Sequence, residues 1–103
     1  MPLYILMTTL TAEGSQSLHR DPDRLQQVND EIEDVGCKIV AQYAPLGPVD
    51  FVTGIEAPDN ETAAVVSSGL SSRGSVRVTS LPAFTVPDFL GRLKAQRQLG
   101  KRS

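Results

Sequence analysis

The sequence predicts an α+β domain with the element order βαββαβ, followed by a basic C-terminal helix. Three observations carry this prediction. Four short segments rich in branched and aromatic residues show strand character, most of them alternating apolar side chains with a period of two. Two segments between them place apolar residues at helical spacing. Clusters of proline, glycine and aspartate separate these segments where turns and helix caps are needed.

The first strand covers residues 3 to 9, with Leu3, Ile5 and Met7 on one face and Tyr4, Leu6 and Thr8 on the other. Residues 11 to 20 read as a turn and a short helical start. Asp21 then supplies an N-cap and Pro22 the first helical position. Leu25, Val28, Ile32 and Val35 follow as the apolar stripe of the first main helix, and Gly36 stands where a left-handed C-cap residue belongs. Residues 38 to 44 form a second strand. The turn cluster Pro45-Leu46-Gly47-Pro48 joins it to a third strand over residues 49 to 55, so the two make a hairpin. Pro58-Asp59 ends that strand and caps a helix with the stripe Ala63, Val66 and Leu70 and a serine-rich wet side. Residues 75 to 81 alternate again after the Gly74 turn. Thr85-Val86-Pro87-Asp88 opens a last helix carrying Phe89, Leu90 and Leu93, with fraying expected beyond Gln98.

This order is a split βαβ, the ferredoxin-like arrangement, in which the helices cover one face of a four-stranded antiparallel sheet. The strands offer apolar residues on both sides, so the uncovered face is expected to seek a partner, and pairing of two such faces is the economical solution. Domain boundaries are expected at 1–90 for the sheet-and-helix body and 91–103 for the basic helix end and tail.

At 103 residues the chain has room for one core, and a domain of this size buries only about 60–65% of its unfolded surface. Cys37 is the single cysteine and His19 the single histidine, which excludes an internal disulfide and a closed Cys/His zinc site. A reducing, cytoplasmic setting is the natural reading. The opening residues lack the basic region and cleavage site of a secretory signal, and no run reaches the roughly 18 apolar residues of a membrane span. The net charge of −2 is unevenly placed: residues 1 to 88 carry −7, and the remainder, with Arg92, Lys94, Arg97, Lys101 and Arg102, carries +5. So acidic a body argues against a nucleic-acid partner. The basic end suits the negative pole of a helix dipole, and it would also suit the acidic run Asp30, Glu31, Glu33 and Asp34, within or between subunits.

Few residues are candidates for chemistry. His19 is the side chain that titrates nearest neutrality; it reads first as a surface residue and gains a role only if it opens toward the sheet. Asp50 sits in an otherwise apolar strand, where it is a perturbed, buried carboxylate, or makes an Asx-type bond to the Gly47-Pro48 turn, or lies exposed at the strand start. Arg77 becomes its counter-ion if both share a sheet face. Tyr4 and Tyr43 place phenols on apolar strands, where structural roles come first. Cys37 reads as a small buried hydrophobe. The glycines of Gly69-Leu70-Ser71-Ser72-Arg73-Gly74 have P-loop spacing but lack the lysine, and they end a helix rather than begin one. Dinucleotide, zincin and nucleophile-elbow motifs are absent, as is any metal-ligand set.

Five segments together resemble the GYD domain family of small bacterial and archaeal proteins, over nearly the whole chain. They are Pro2-Leu3-Tyr4-Ile5 with Leu10-Thr11-Ala12-Glu13-Gly14, then Asp21-Pro22-Asp23-Arg24, Leu46-Gly47-Pro48-Val49-Asp50-Phe51-Val52, Glu56-Ala57-Pro58-Asp59 and Leu81-Pro82-Ala83-Phe84. Of the Gly-Tyr-Asp signature the chain keeps Gly47 and Asp50, with Val49 where tyrosine is expected. The resemblance implies a dimeric α/β-barrel type of assembly and a cavity between sheet and helices, used by relatives for cofactor-free oxygenation, haem chemistry or ligand binding. Fold analogy does not choose among these. The shortage of catalytic groups favours a homo-oligomeric small-molecule-binding or accessory protein, with a small apolar or aromatic ligand anchored by residues drawn from Tyr4, His19, Tyr43, Asp50 and Arg77. The rival is a cofactor-independent enzyme, monooxygenase- or isomerase-like, with Asp50 or His19 as base and Tyr43 or Arg77 steadying an oxyanion. It demands that these side chains converge.

Overall fold

The computed structural model describes residues 1–96. Its elements run β1 (Leu3–Leu10), α1 (Ala12–Arg20), α2 (Arg24–Asp34), β2 (Lys38–Tyr43), β3 (Phe51–Glu56), α3 (Asn60–Ser71), β4 (Val76–Ala83) and α4 (Val86–Ala95). The strands form one antiparallel sheet in the order β2-β3-β1-β4, the ferredoxin-like arrangement expected from the element order.

Strand periodicity divides the sheet into two faces. Tyr4 and Leu6 of β1 and Ile55 of β3 point toward the helices and meet Ile32, Ala57, Ala63 and Val66 in a single buried core. Leu3, Ile5 and Met7 point the other way, beside Val52 and Gly54 of β3 and Leu81 and Ala83 of β4. Among the described residues no element covers this second face, on which Val40, Tyr43 and Leu81 remain 47%, 66% and 45% exposed. The apolar open face is therefore present as expected.

Residues 11 to 20 form more than the turn and helical start expected. Thr11 N-caps the nine-residue α1, its hydroxyl accepting the Gly14 N–H at 3.1 Å. The segment lacks a strong apolar stripe, and what holds it is a backbone approach. A Cβ on Gly14 would stand 1.9 Å from the Ser75 carbonyl oxygen, so only glycine lets α1 lie this close to the start of β4. Asp21 consequently closes α1 instead of capping the next helix. Helix α2 begins at Arg24 after the turn-forming bond from the Arg24 N–H to the Asp21 carbonyl, with no side-chain cap at Asp23. Gly36, at φ 97°, does occupy the left-handed position after α2. Val35 lies beyond the helix and is 51% exposed, so the buried stripe ends at Ile32.

Asp59 caps α3 as expected, accepting from both the backbone N–H and the hydroxyl of Thr62. Those bonds hold its carboxyl below the usual carboxylate value. Thr85 caps α4 in the same way through the Asp88 N–H. Helix α4, however, stands apart. Every one of its residues is exposed, with Val86, Phe89, Leu90 and Leu93 at 45–66%. Phe84 meets its apolar seam, with its ring 5.6 Å from that of Phe89. The radius of gyration is 16.5 Å, against about 13 Å for a compact chain of this length. Among the described residues no ion pair joins the basic last helix to the acidic run of α2. Arg92 and Lys94 lie on α4, while Arg97, Lys101 and Arg102 fall outside the described residues.

Candidate functional site

Between the sheet and the helices lies a cavity of about 100 Å³. Leu6 and Phe51 of the sheet, Leu18 of α1, Leu25 and Val28 of α2 and Leu70 of α3 form most of its apolar wall. Gly14 lets α1 lie close to Ser75 at the start of β4, while α2 packs over β2 at the opposite edge of the sheet.

One polar cluster interrupts this wall. Asn29 of α2 and Gln42 of β2 exchange two amide bonds, Asn29 Nδ2 donating to Gln42 Oε1 at 2.9 Å and Gln42 Nε2 donating to Asn29 Oδ1 at 3.1 Å. The second Gln42 hydrogen goes to Thr53 Oγ1, also at 3.1 Å. Thr53 is 3% exposed, the one buried polar residue of the core. All three line the cavity, as do Thr8, Ser17 and Ser75. Arg24 and Arg73, both exposed, stand at its rim. Arg73 is ion-paired with Glu31, and that contact holds the Glu31 carboxyl low and the guanidinium high. No aspartate or glutamate is among the described lining residues, and neither is any histidine, lysine, tyrosine or cysteine. The wall offers neutral hydroxyl and amide groups and, at its rim, positive charge, but among the described lining residues no carboxylate, imidazole, amine, phenol or thiol is present to act as general acid or base.

The five residues singled out from the sequence do not converge on this cavity. Tyr4 is buried at its own end of the sheet, where its hydroxyl donates to Asn60 Oδ1 at the start of α3. His19 is exposed near the end of α1. Asp50 lies exposed just ahead of β3; its Oδ2 accepts the Leu10 N–H at 2.7 Å and its own N–H donates to the Thr8 carbonyl at 2.8 Å. The carboxylate thus extends the β1–β3 pairing by one rung, the strand-start placement weighed above. Arg77 is exposed opposite Thr9 on the open face. Among the described residues Arg73–Glu31 is the one ion pair, so Asp50 and Arg77 do not form another.

Tyr43 and Gln42 exchange the places that simple alternation assigns them, for a local reason. Ile39 pairs with Ile55 on the helix side, and a period of two would turn Tyr43 inward and Gln42 outward. A bulge between Ile39 and Ala41 shifts the phase, so that Gln42 pairs with Thr53 over the cavity and Tyr43 with Val52 on the open face. A different signal was available for Asn29 and Thr53. Thr53 alternates with Phe51 and Ile55, and Asn29 sits four residues after Leu25. Each is a polar residue at a core-facing position.

Fold and cavity together define a ferredoxin-like α+β protein with one face of its sheet uncovered. A family model described as the GYD domain matches residues 4–91, and the chain belongs to the GYD domain family. A relative from Thermus thermophilus, named "Glutamine synthetase and cystathionine beta-lyase binding protein", is 47% identical over 95 residues, covering 91% of this chain and 100% of that protein. A solved structure, that of TTHA0845 from the same organism, superposes with a TM-score of 0.52 at 23% identity, covering 84% of this chain and 96% of that one. This second likeness shows the fold. No helix among the described residues is long and apolar enough to cross a membrane.

Proposed function

We propose that the protein is a homo-oligomeric accessory protein that binds other proteins and holds a small apolar or aromatic ligand in its cavity. The observation that carries this reading is the pair of uncovered apolar surfaces, the open sheet face and the seam of α4. They adjoin at the end of β4, where Leu81 and Ala83 lead into Phe84, Val86 and Phe89. Isolated exposed hydrophobics are ordinary, but a contiguous field of them marks an interaction surface. Two sheet faces stacked about 10 Å apart would bury the open face in a dimer. The α4 seam would then remain for the partner subunit or for a client protein.

The name of the Thermus relative supplies the first clients to test, because the likeness spans that protein's full length. A cavity lining without carboxylate or imidazole among the described residues supports binding over catalysis, since a cofactor-independent reaction needs a base within reach of the substrate. The test uses the full chain, immobilised and presented with purified glutamine synthetase and purified cystathionine β-lyase. Retention of either at micromolar concentration, reduced by Phe89→Asp, is the expected outcome. Retention of neither, together with a monomeric sedimentation coefficient, would overturn the proposal.

A further inference from the structure

Resting on the reading that the cavity holds a ligand, we infer that this ligand is a small hydroxy- or oxo-bearing carboxylate with an apolar body. Its charged headgroup lies at the Arg24 rim, and an uncharged oxygen at the other end accepts from Thr53. Three observations converge on that chemistry. The first is size. A dry cavity of roughly 150 Å³ accommodates a benzene ring, so a cavity of about 100 Å³ takes a small organic molecule. That is the scale of one substituted ring or a short branched chain, well short of a nucleotide or a haem.

The second observation is charge. The body of the protein is acidic, yet the cavity has two arginines at its rim and no carboxylate in its described lining. Arg73 is engaged by Glu31, whereas Arg24 forms no ion pair among the described residues. A ligand carboxylate at the rim keeps its water on one side and gains a planar, permanently charged partner, which avoids the cost of taking the charge inside. The apolar body then lies against Phe51, Leu25 and Val28.

The third observation is an unused donor. The Thr53 hydroxyl accepts from Gln42, and its own proton has no hydrogen-bond acceptor among the described residues, although the side chain is 97% removed from solvent. Buried donors in native proteins are nearly always satisfied. Gln42 holds the Thr53 oxygen through its amide, and Asn29 in turn holds Gln42. The hydroxyl proton left over belongs to a residue that lines the cavity and is 3% exposed, so a ligand oxygen there can accept its bond.

Amide chemical-shift titrations of the full ¹⁵N-labelled chain with 4-hydroxybenzoate, benzoate and 4-hydroxybenzamide test the inference. The expected result is saturable shifts at Phe51, Thr53, Gln42 and Leu25 with 4-hydroxybenzoate. Benzoate should bind several-fold more weakly and the uncharged amide at least about tenfold more weakly. Thr53→Val should abolish the advantage over benzoate, and Arg24→Gln should narrow the advantage over the amide. Thr53→Val is nearly isosteric and Arg24 is exposed, so both variants are expected to keep the wild-type spectrum away from the cavity. Equal affinities within either matched pair would overturn the assignment while leaving a ligand-holding cavity intact. Absence of cavity shifts with all three probes would overturn both.

Discussion

Leu81→Glu tests whether the open face is an interface. Leu81 lies opposite Ile5 on the uncovered side of the sheet and is 45% exposed in the single chain. Full burial of a leucine contributes about 1.5–3 kcal/mol, so covering the part still exposed contributes about 1 kcal/mol per subunit and about 2 kcal/mol in a twofold dimer. Glutamate forfeits that contribution and must also lose water from its carboxylate against apolar neighbours, at several kcal/mol per ion and twice per dimer. The sum reaches at least about 6 kcal/mol, and a tenfold change in affinity corresponds to about 1.4 kcal/mol. The dimer constant should therefore weaken by at least about 10⁴-fold. The isolated subunit should suffer little, because the position is half open on an edge strand. Sedimentation velocity across micromolar to submillimolar concentrations reads the assembly, and far-UV circular dichroism checks the fold. Ser68→Glu, on the exposed side of α3, is the charge-matched control and should leave assembly unchanged. A Leu81→Glu protein that is folded and sediments like wild type would refute the interface.

Three further outcomes follow from local geometry. Gly14→Ala should lower the thermal midpoint by at least about 5 °C, because a Cβ placed 1.9 Å from the Ser75 carbonyl must push α1 off β4 and overpacking of this kind costs about 1–3 kcal/mol or more; a midpoint within a degree of wild type would show that α1 is free to move. Burial raises the thiol of Cys37 above its ordinary value, and the residue is 6% exposed; iodoacetamide at mildly alkaline pH should modify the native protein at least about tenfold more slowly than the urea-unfolded one, and equal rates would contradict the burial. The Arg73 contact lowers the folded-state value of Glu31 below its usual 4.5, so its stabilisation is present above that value and is lost as pH falls through the lowered one; both side chains are nearly half exposed, which limits the pair to about 0–1 kcal/mol, so Glu31→Gln melts should differ slightly from wild type at neutral pH and converge with it in acid.

The fold was legible in the sequence because local signals agreed with the global arrangement. Alternation in residues 3 to 9 assigns the two faces of β1 correctly, and the caps at Asp59 and Thr85 and the left-handed Gly36 stand where their chemistry puts them. Helix α1 was only half visible, since its glycine and serines carry low helix propensity and what holds it is tertiary, the approach to Ser75. The cavity residues were hidden for a different reason. Titratable groups draw attention to Tyr4, His19 and Asp50, but the polar cluster of the cavity is built from neutral amides and a hydroxyl, which no charge pattern reveals. Asn29 and Thr53 could have been found as polar residues on apolar faces. Gln42 could not, because its inward direction depends on a bulge whose position lies in the pairing of β2 with β3 and not in either strand alone.

That bulge links the two surfaces on which the functional reading depends. Residues of β3 alternate between them: Phe51 and Thr53 face the cavity, while Val52 and Gly54 face outward. On β2 the extra residue sets Val40 over Gly54, where an added Cβ would meet Val40 Cγ2 at 3.3 Å, and the same shift brings Gln42 to Thr53 and Tyr43 to Val52. A strand in strict alternation would turn Gln42 out and Tyr43 in, removing the amide clamp from the cavity and the phenol from the open face in one step. The amide clamp of the cavity and the edge of the open sheet face are therefore not independent features. Gln42 and Tyr43 owe their directions to one local irregularity, so a change in the β2–β3 register would turn both together. With a single layer of sheet between the cavity and the open face, the two surfaces share the same backbone.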